Sequence, residues 1–308
     1  VFAVIALVHR WSDVRAALAG ANPRWWVVAL SCVPVLASYA LLIEAWRLLL
    51  GGWGAGLPFW GAARIWTVSN LGRYVPGKVW QIGTMAVMAQ RVGVPPLAAA
   101  GAALMSTVIT LASGFAVAAL CGARLFADPV WTWGALAVVV AGLTIFPLAL
   151  PRAAQWLARY TRREQALPPL PAVRLWIVFF TSAVAWILFG AGFHALSIGI
   201  TGARVTTLWS SIAAFTGSYL LGFLAIFVPG GLVVREAGMQ SMLTAAGATA
   251  GTALVLAVAS RLWLTVLEIV PALLFLAAGA AWPGARTGVL AGRGRGAAGG
   301  VASSPDDR

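Results

Sequence analysis

The sequence predicts an all-α protein, a polytopic transmembrane helical bundle of about 7–8 membrane segments with two re-entrant or broken helices in an inverted internal repeat. Three observations lead there. The 308 residues are 61% hydrophobic and 9% charged, with mean hydropathy +0.90, whereas soluble domains carry roughly 25% charged residues. Several apolar runs exceed the roughly 18 residues that mark a membrane-spanning helix. An aromatic-Val-Pro-Gly motif occurs twice, at Tyr74–Gly77 and Phe227–Gly230. Each copy is followed by a further glycine (Gly93, Gly247) and then a long apolar helix.

Taken in order, the opening VFAVIALV (1–8) is too short to span and reads as the end of a longer helix. It has neither the basic start nor the small-residue cleavage site of a signal peptide. Apolar segments follow at 25–49, 95–122, 129–150, 175–200, 206–228 and 249–281. Between the first two lies 58–93, moderately apolar, Gly-rich and carrying Arg64, Arg73, Lys78 and Arg91. The domain reading is a transmembrane unit over 1–282, with repeat halves at about 25–122 and 175–281, and a disordered basic tail over 283–308. Tryptophans near segment ends, among them Trp25, Trp26, Trp46, Trp131, Trp176 and Trp282, fit an interfacial aromatic belt.

The formal charge is +13. In a membrane protein such an excess belongs to cytoplasmic loops facing anionic headgroups, and no basic stripe with interleaved aromatics points to nucleic acid. The Arg-rich loop 151–174 is therefore expected inside with the C-terminus. On that assignment Arg47, Arg64, Arg73, Lys78 and Arg91 are cytoplasmic, and Arg10, Arg15, Arg24, Arg124 and Arg204 external. The first broken segment then opens from the cytoplasm and the second from outside, a transporter architecture.

The breaks carry the chemistry. Pro76, Gly77, Pro229, Gly230 and Gly231 interrupt helices at membrane depth, where irregular backbone persists only if protein or water covers it. An ionisable residue at the bilayer centre costs about 2.5–3.5 kcal/mol, yet Arg235 and Glu236 follow the second break directly. A helix restarting near Leu232 aims its positive end at the break with Arg235 in its first turn, a combination suited to an anionic headgroup. Glu236 then pairs with Arg261 or Arg73; an ion network that pins the hairpin is an equal and compatible reading. Arg261 and Glu268 share one face of the last long helix and either line a lipid path or brace the fold. Arg73, Lys78 and Gln81 form a headgroup port, or the basic pair snorkels to the interface.

Other features read plainly. Glu44 and Arg47 make an interfacial pair. Cys32 and Cys121 are small core residues, and Gly247-x-x-x-Gly251 is a close helix-packing face. His9 and His194 lack partners at ligand spacing, so no metal is expected, nor any cofactor. No nucleophile elbow, P-loop or HExxH is present, and the expectation is a non-enzyme.

At NLGRYVPGK, VPGGLVVREAG and ASRLWLTVLE (259–268) the chain resembles the lysylphosphatidylglycerol synthase transmembrane-region family of flippase-like membrane proteins, over roughly 10–282. The resemblance implies a bacterial or archaeal inner-membrane protein that moves lipids or lipid-linked molecules between leaflets. With the charged breaks, the expected partner is an anionic or polyprenyl-phosphate-linked membrane lipid. A non-transporting module that presents a lipid to a separate glycosyl- or aminoacyl-transferase is the alternative. Relatives often carry a Glu-Arg pair in the helix after the first break, where this chain has the uncharged ALMSTVITLASG (103–114).

Overall fold

The computed structural model describes residues 22–74, 79–122, 170–225 and 233–279. The segments 1–8 and 129–150, the loop to residue 169, the tail, and Pro76, Gly77, Lys78, Pro229, Gly230 and Gly231 lie outside the described residues. Among the described residues the regular structure is helical throughout. The elements are α1 (Trp25–Gly52), α2 (Phe59–Asn70), a 3-10 turn (Leu71–Tyr74), α3 (Val79–Gln90), α4 (Pro96–Gly122), α5 (Ala172–Thr201), α6 (Leu208–Leu224), α7 (Val234–Ala245) and α8 (Ala250–Gly279).

Helices α1, α4, α5 and α8 are long and apolar enough to cross a membrane. The other four are not. Helices α2, α3 and α7 have 12 residues each and α6 has 17, about 18 and 25 Å at 1.5 Å per residue. The segment expected to span over 206–228 is thus a shorter helix that ends at Leu224.

These short helices pair into two antiparallel hairpins. In the first, Ser69 Oγ meets Met88 Sδ at 3.9 Å and Gln81 Nε2 donates to Asn70 Oδ1 at 2.5 Å. Helices α2 and α3 therefore lie side by side as the entering and returning arms. In the second, a Cβ on Gly217 would lie 2.8 Å from the Met242 methyl, and one on Gly238 2.9 Å from Leu221.

The two halves share one element order: long helix, hairpin, long helix. Their first helices, α1 and α5, run antiparallel along their full lengths. The Arg24 N–H donates to Gly199 O (2.7 Å) at one end, Ser38 Oγ to Ala185 O (3.0 Å) midway, and Arg174 Nη1 to Leu48 O (3.3 Å) at the other. Equivalent helices that point opposite ways make the halves inverted, with the pseudo-two-fold axis in the membrane plane. Each hairpin then packs on the last helix of the other half, α2 on α8 and α6 on α4. The turns repeat too. Gly93 after α3 (φ 86°) and Gly247 after α7 (φ 98°) occupy the positive-φ region open to glycine. Gly247 accordingly sits in a turn, with open space where its Cβ would be, and the expected packing face reduces to the buried Gly251.

Lipid tails give helices no hydrophobic reason to associate, so close packing of small residues supplies the attraction. Gly190 is the tightest such point on α5: a Cβ there would lie 2.5 Å from Ile212 Cα of α6. Gly190→Ala is expected to destabilise the bundle by about 1–3 kcal/mol through overpacking against backbone that cannot step aside. A thermal melt in detergent equal to wild type would show that α5 and α6 separate freely.

Outside the core, Leu30, Leu36, Phe180 and Leu262 face the surroundings, and exposed Trp25, Trp26 and Trp60 stand at helix starts. Trp46 departs from the expected belt. It is 1% exposed and turned inward.

Candidate functional site

The two hairpins converge on α8, and each is tied to it by an ion pair. On the second hairpin, Val233 (φ 73°, ψ −50°) leads into α7. Its N–H donates to Glu236 Oε2 (2.6 Å), while Glu236 Oε1 accepts from Arg261 Nη1 (2.5 Å). One carboxylate therefore closes the first turn of α7 and anchors that turn to mid-α8. The expectation of a helix start open to an anion changes accordingly, because Glu236 already serves part of that positive end.

Val233 is a β-branched residue at positive φ, a conformation that costs of order 1–3 kcal/mol where the surroundings impose it. Val233→Gly is expected to keep or raise the melting temperature, since glycine enters this region freely. A clear drop would place the side chain among the groups that hold α7.

On the first hairpin, Arg73 Nη1 reaches Glu268 Oε1 (2.5 Å) and lies 3.3 Å from the Tyr219 hydroxyl. The Tyr74 hydroxyl donates to Glu268 Oε2 (2.7 Å). Both oxygens of Glu268, 8% exposed, are thereby satisfied. Arg73 points into the protein rather than snorkelling outward, and its carboxylate partner is Glu268 rather than Glu236. The Glu44–Arg47 ion pair forms as expected, and Arg47 Nε also donates to Leu57 O (2.9 Å).

Between the hairpins lies a cavity of about 370 Å³. It brings together five of the residues singled out from sequence: Arg73, Gln81, Arg235, Arg261 and Glu268. Glu236 stands behind Arg261. The described part of α4 contributes Ser106, Thr107 and Thr110. Counted from Gly93 and Gly247, Thr107 is the first-half residue matching Arg261, so the missing charge of the first half is replaced by a hydroxyl on the cavity wall. Trp46, Trp66 and Trp186 supply an aromatic side. The exposed residues Tyr74 and Leu104 also line the cavity, so its wall reaches the surface.

Arg235 is set apart from the other two cations. Its guanidinium carbon sits 5.0 Å from the Tyr219 ring centroid and 5.5 Å from that of Phe215. Its Nη2 is buried without a hydrogen-bond partner, and among the described residues no carboxylate pairs with it. Asn70, another residue of the cavity wall, also has its Nδ2 buried and unpartnered. Among the described residues the cavity thus carries two arginines in salt bridges and one, Arg235, that has none and lies against ring faces, each worth about 0.5–2 kcal/mol.

Asn70 and Tyr219 were not marked by any sequence signal, since an asparagine at a helix end and a lone helical tyrosine are both common. Their role follows from where the antiparallel hairpins put them.

A family model described as Lysylphosphatidylglycerol synthase TM region matches residues 1–285. No curated protein matches the chain.

Proposed function

Since this chain belongs to the lysylphosphatidylglycerol synthase TM-region family, we propose that it is a flippase-like membrane protein that takes the anionic headgroup of a lipid into the cavity between its hairpins. The observation that carries this reading is Arg235, a buried cation on the cavity wall with no salt-bridge partner among the described residues. Removing a charge from solvent is costly unless something compensates it. A phosphate oxygen brought against the Arg235 guanidinium does so through a charge-assisted hydrogen bond. The acyl chains stay outside, because about 370 Å³ is at the small end of ligand cavities.

Inverted halves offer a route between leaflets. Each hairpin leans on the last helix of the other half, so rocking one half against the other exposes the cavity first to one side and then to the opposite one. The positive-inside rule supports a cell-membrane location with loop 151–174 and the C-terminus cytoplasmic.

The test is headgroup translocation in proteoliposomes, with fluorescent anionic lipids and a quencher added only outside. Protein-dependent loss of protection of the inner-leaflet label is expected. Failure to move any anionic lipid across a broad panel would remove the transport reading; retained lipid binding would then favour a module that presents lipid to a separate transferase.

A further inference from the structure

We infer that the membrane potential acts on the empty cavity of this protein and not on the loaded one. Arg235 gives the empty site a charge of +1, and a headgroup with one negative charge cancels it. The inference rests on the cavity being a headgroup site, as proposed above.

Depth is the first argument. Arg261 and Glu268 stand on α8 at equal distances from its two ends, Ala250 and Gly279, about 16 Å in each case at 1.5 Å per residue. The cavity they line is therefore central along a helix long enough to cross the membrane. A charge held there passes through part of the transmembrane field whenever access changes from one side to the other.

Charge is the second. On the described wall of the cavity Arg73 is held by Glu268, and Arg261 by Glu236 behind the wall. Each pair is neutral as a unit, so its movement through the field carries no net charge. Arg235 is in no salt bridge among the described residues. The Tyr219 and Phe215 rings, 5.0 and 5.5 Å from its guanidinium carbon, stabilise the cation without cancelling its charge. Among the described residues the site is thus left at +1.

The two halves of a transport cycle then differ. Loaded with a monoanion, the site is neutral and changes its facing without moving net charge. Empty, it carries +1, and an inside-negative potential draws it toward the cytoplasm. The potential therefore resets the empty protein to the inner leaflet, and each complete cycle carries one negative charge outward. One charge crossing the whole field of an energised membrane is worth on the order of 50-fold.

The experiment uses the full chain in phosphatidylcholine vesicles, with a potassium diffusion potential of either sign and fluorescent phosphatidylglycerol as the probe. Exchange is measured with unlabelled phosphatidylglycerol saturating both leaflets, so that only loaded sites turn over. Net entry is measured with phosphatidylglycerol added to the outer leaflet alone, so that empty sites must return. Reversing the potential is expected to change wild-type net entry by at least about threefold, faster with the inside positive, and exchange by less than about 1.5-fold. Arg235→Gln makes the empty site neutral and the loaded one negative, so its exchange is expected to become voltage-dependent. Arg235→Lys keeps the charge and should keep the wild-type pattern. Wild-type exchange as voltage-dependent as net entry, net entry indifferent to the potential, or a wild-type pattern in Arg235→Gln overturns the inference and leaves the headgroup site standing. Phosphatidylglycerol that moves in neither assay removes the site reading, and the inference with it.

Discussion

Arg235→Gln is expected to cut headgroup-dependent translocation by roughly 10- to 150-fold, the equivalent of a charged hydrogen bond worth about 1.5–3 kcal/mol, while leaving the fold intact. The two halves of that expectation come from the same fact. Arg235 is in no salt bridge among the described residues, so removing its charge breaks no ion pair. What is lost is the contact with the Tyr219 and Phe215 rings. What is gained is relief from holding a cation away from water. These terms oppose one another, and the melting temperature should stay near wild type. Arg235→Lys keeps the charge but loses the planar fork, and an intermediate rate is expected. A structural role predicts the opposite pattern: a large fall in melting temperature for Arg235→Gln, with normal transport by whatever protein remains folded.

The second large effect is on stability. Glu268→Gln strands the Arg73 guanidinium and removes an acceptor from Tyr74, at the point where the first hairpin meets α8. Breaking a buried pair from one side costs about 3–5 kcal/mol. Arg73 is 27% and Glu268 8% exposed, so screening lowers the expectation to about 2–4 kcal/mol. Removing both charges is a different perturbation, because no ion is left alone. Arg73→Gln combined with Glu268→Gln should therefore recover much of the loss, with a coupling of about 1–3 kcal/mol in a double-mutant cycle. Unfolding in detergent across wild type, both singles and the double measures it. Strictly additive singles would mean that the pair does not hold the hairpin to α8.

The membrane class, the helical fold, the spans at α1, α4, α5 and α8 and the twofold occurrence of the Val-Pro-Gly motif are legible in the sequence. Hydropathy and charge are properties of short stretches, and lipid enforces both on every helix that crosses it. The same enforcement makes Arg235, Glu236, Arg261 and Glu268 conspicuous from the sequence alone, since ions in apolar helices require a reason. Only the tertiary structure decided how those ions are shared. Arg73 and Glu268 lie 195 residues apart in the chain, and they meet because inversion lays the hairpin of one half against the last helix of the other. That geometry matches Arg73 with Glu268, gives Glu236 to Arg261 and its own helix start, and leaves Arg235 against aromatic rings. Local pattern fixes which residues are costly in a membrane; long-range packing fixes which of them remain uncompensated, and therefore where a ligand is needed.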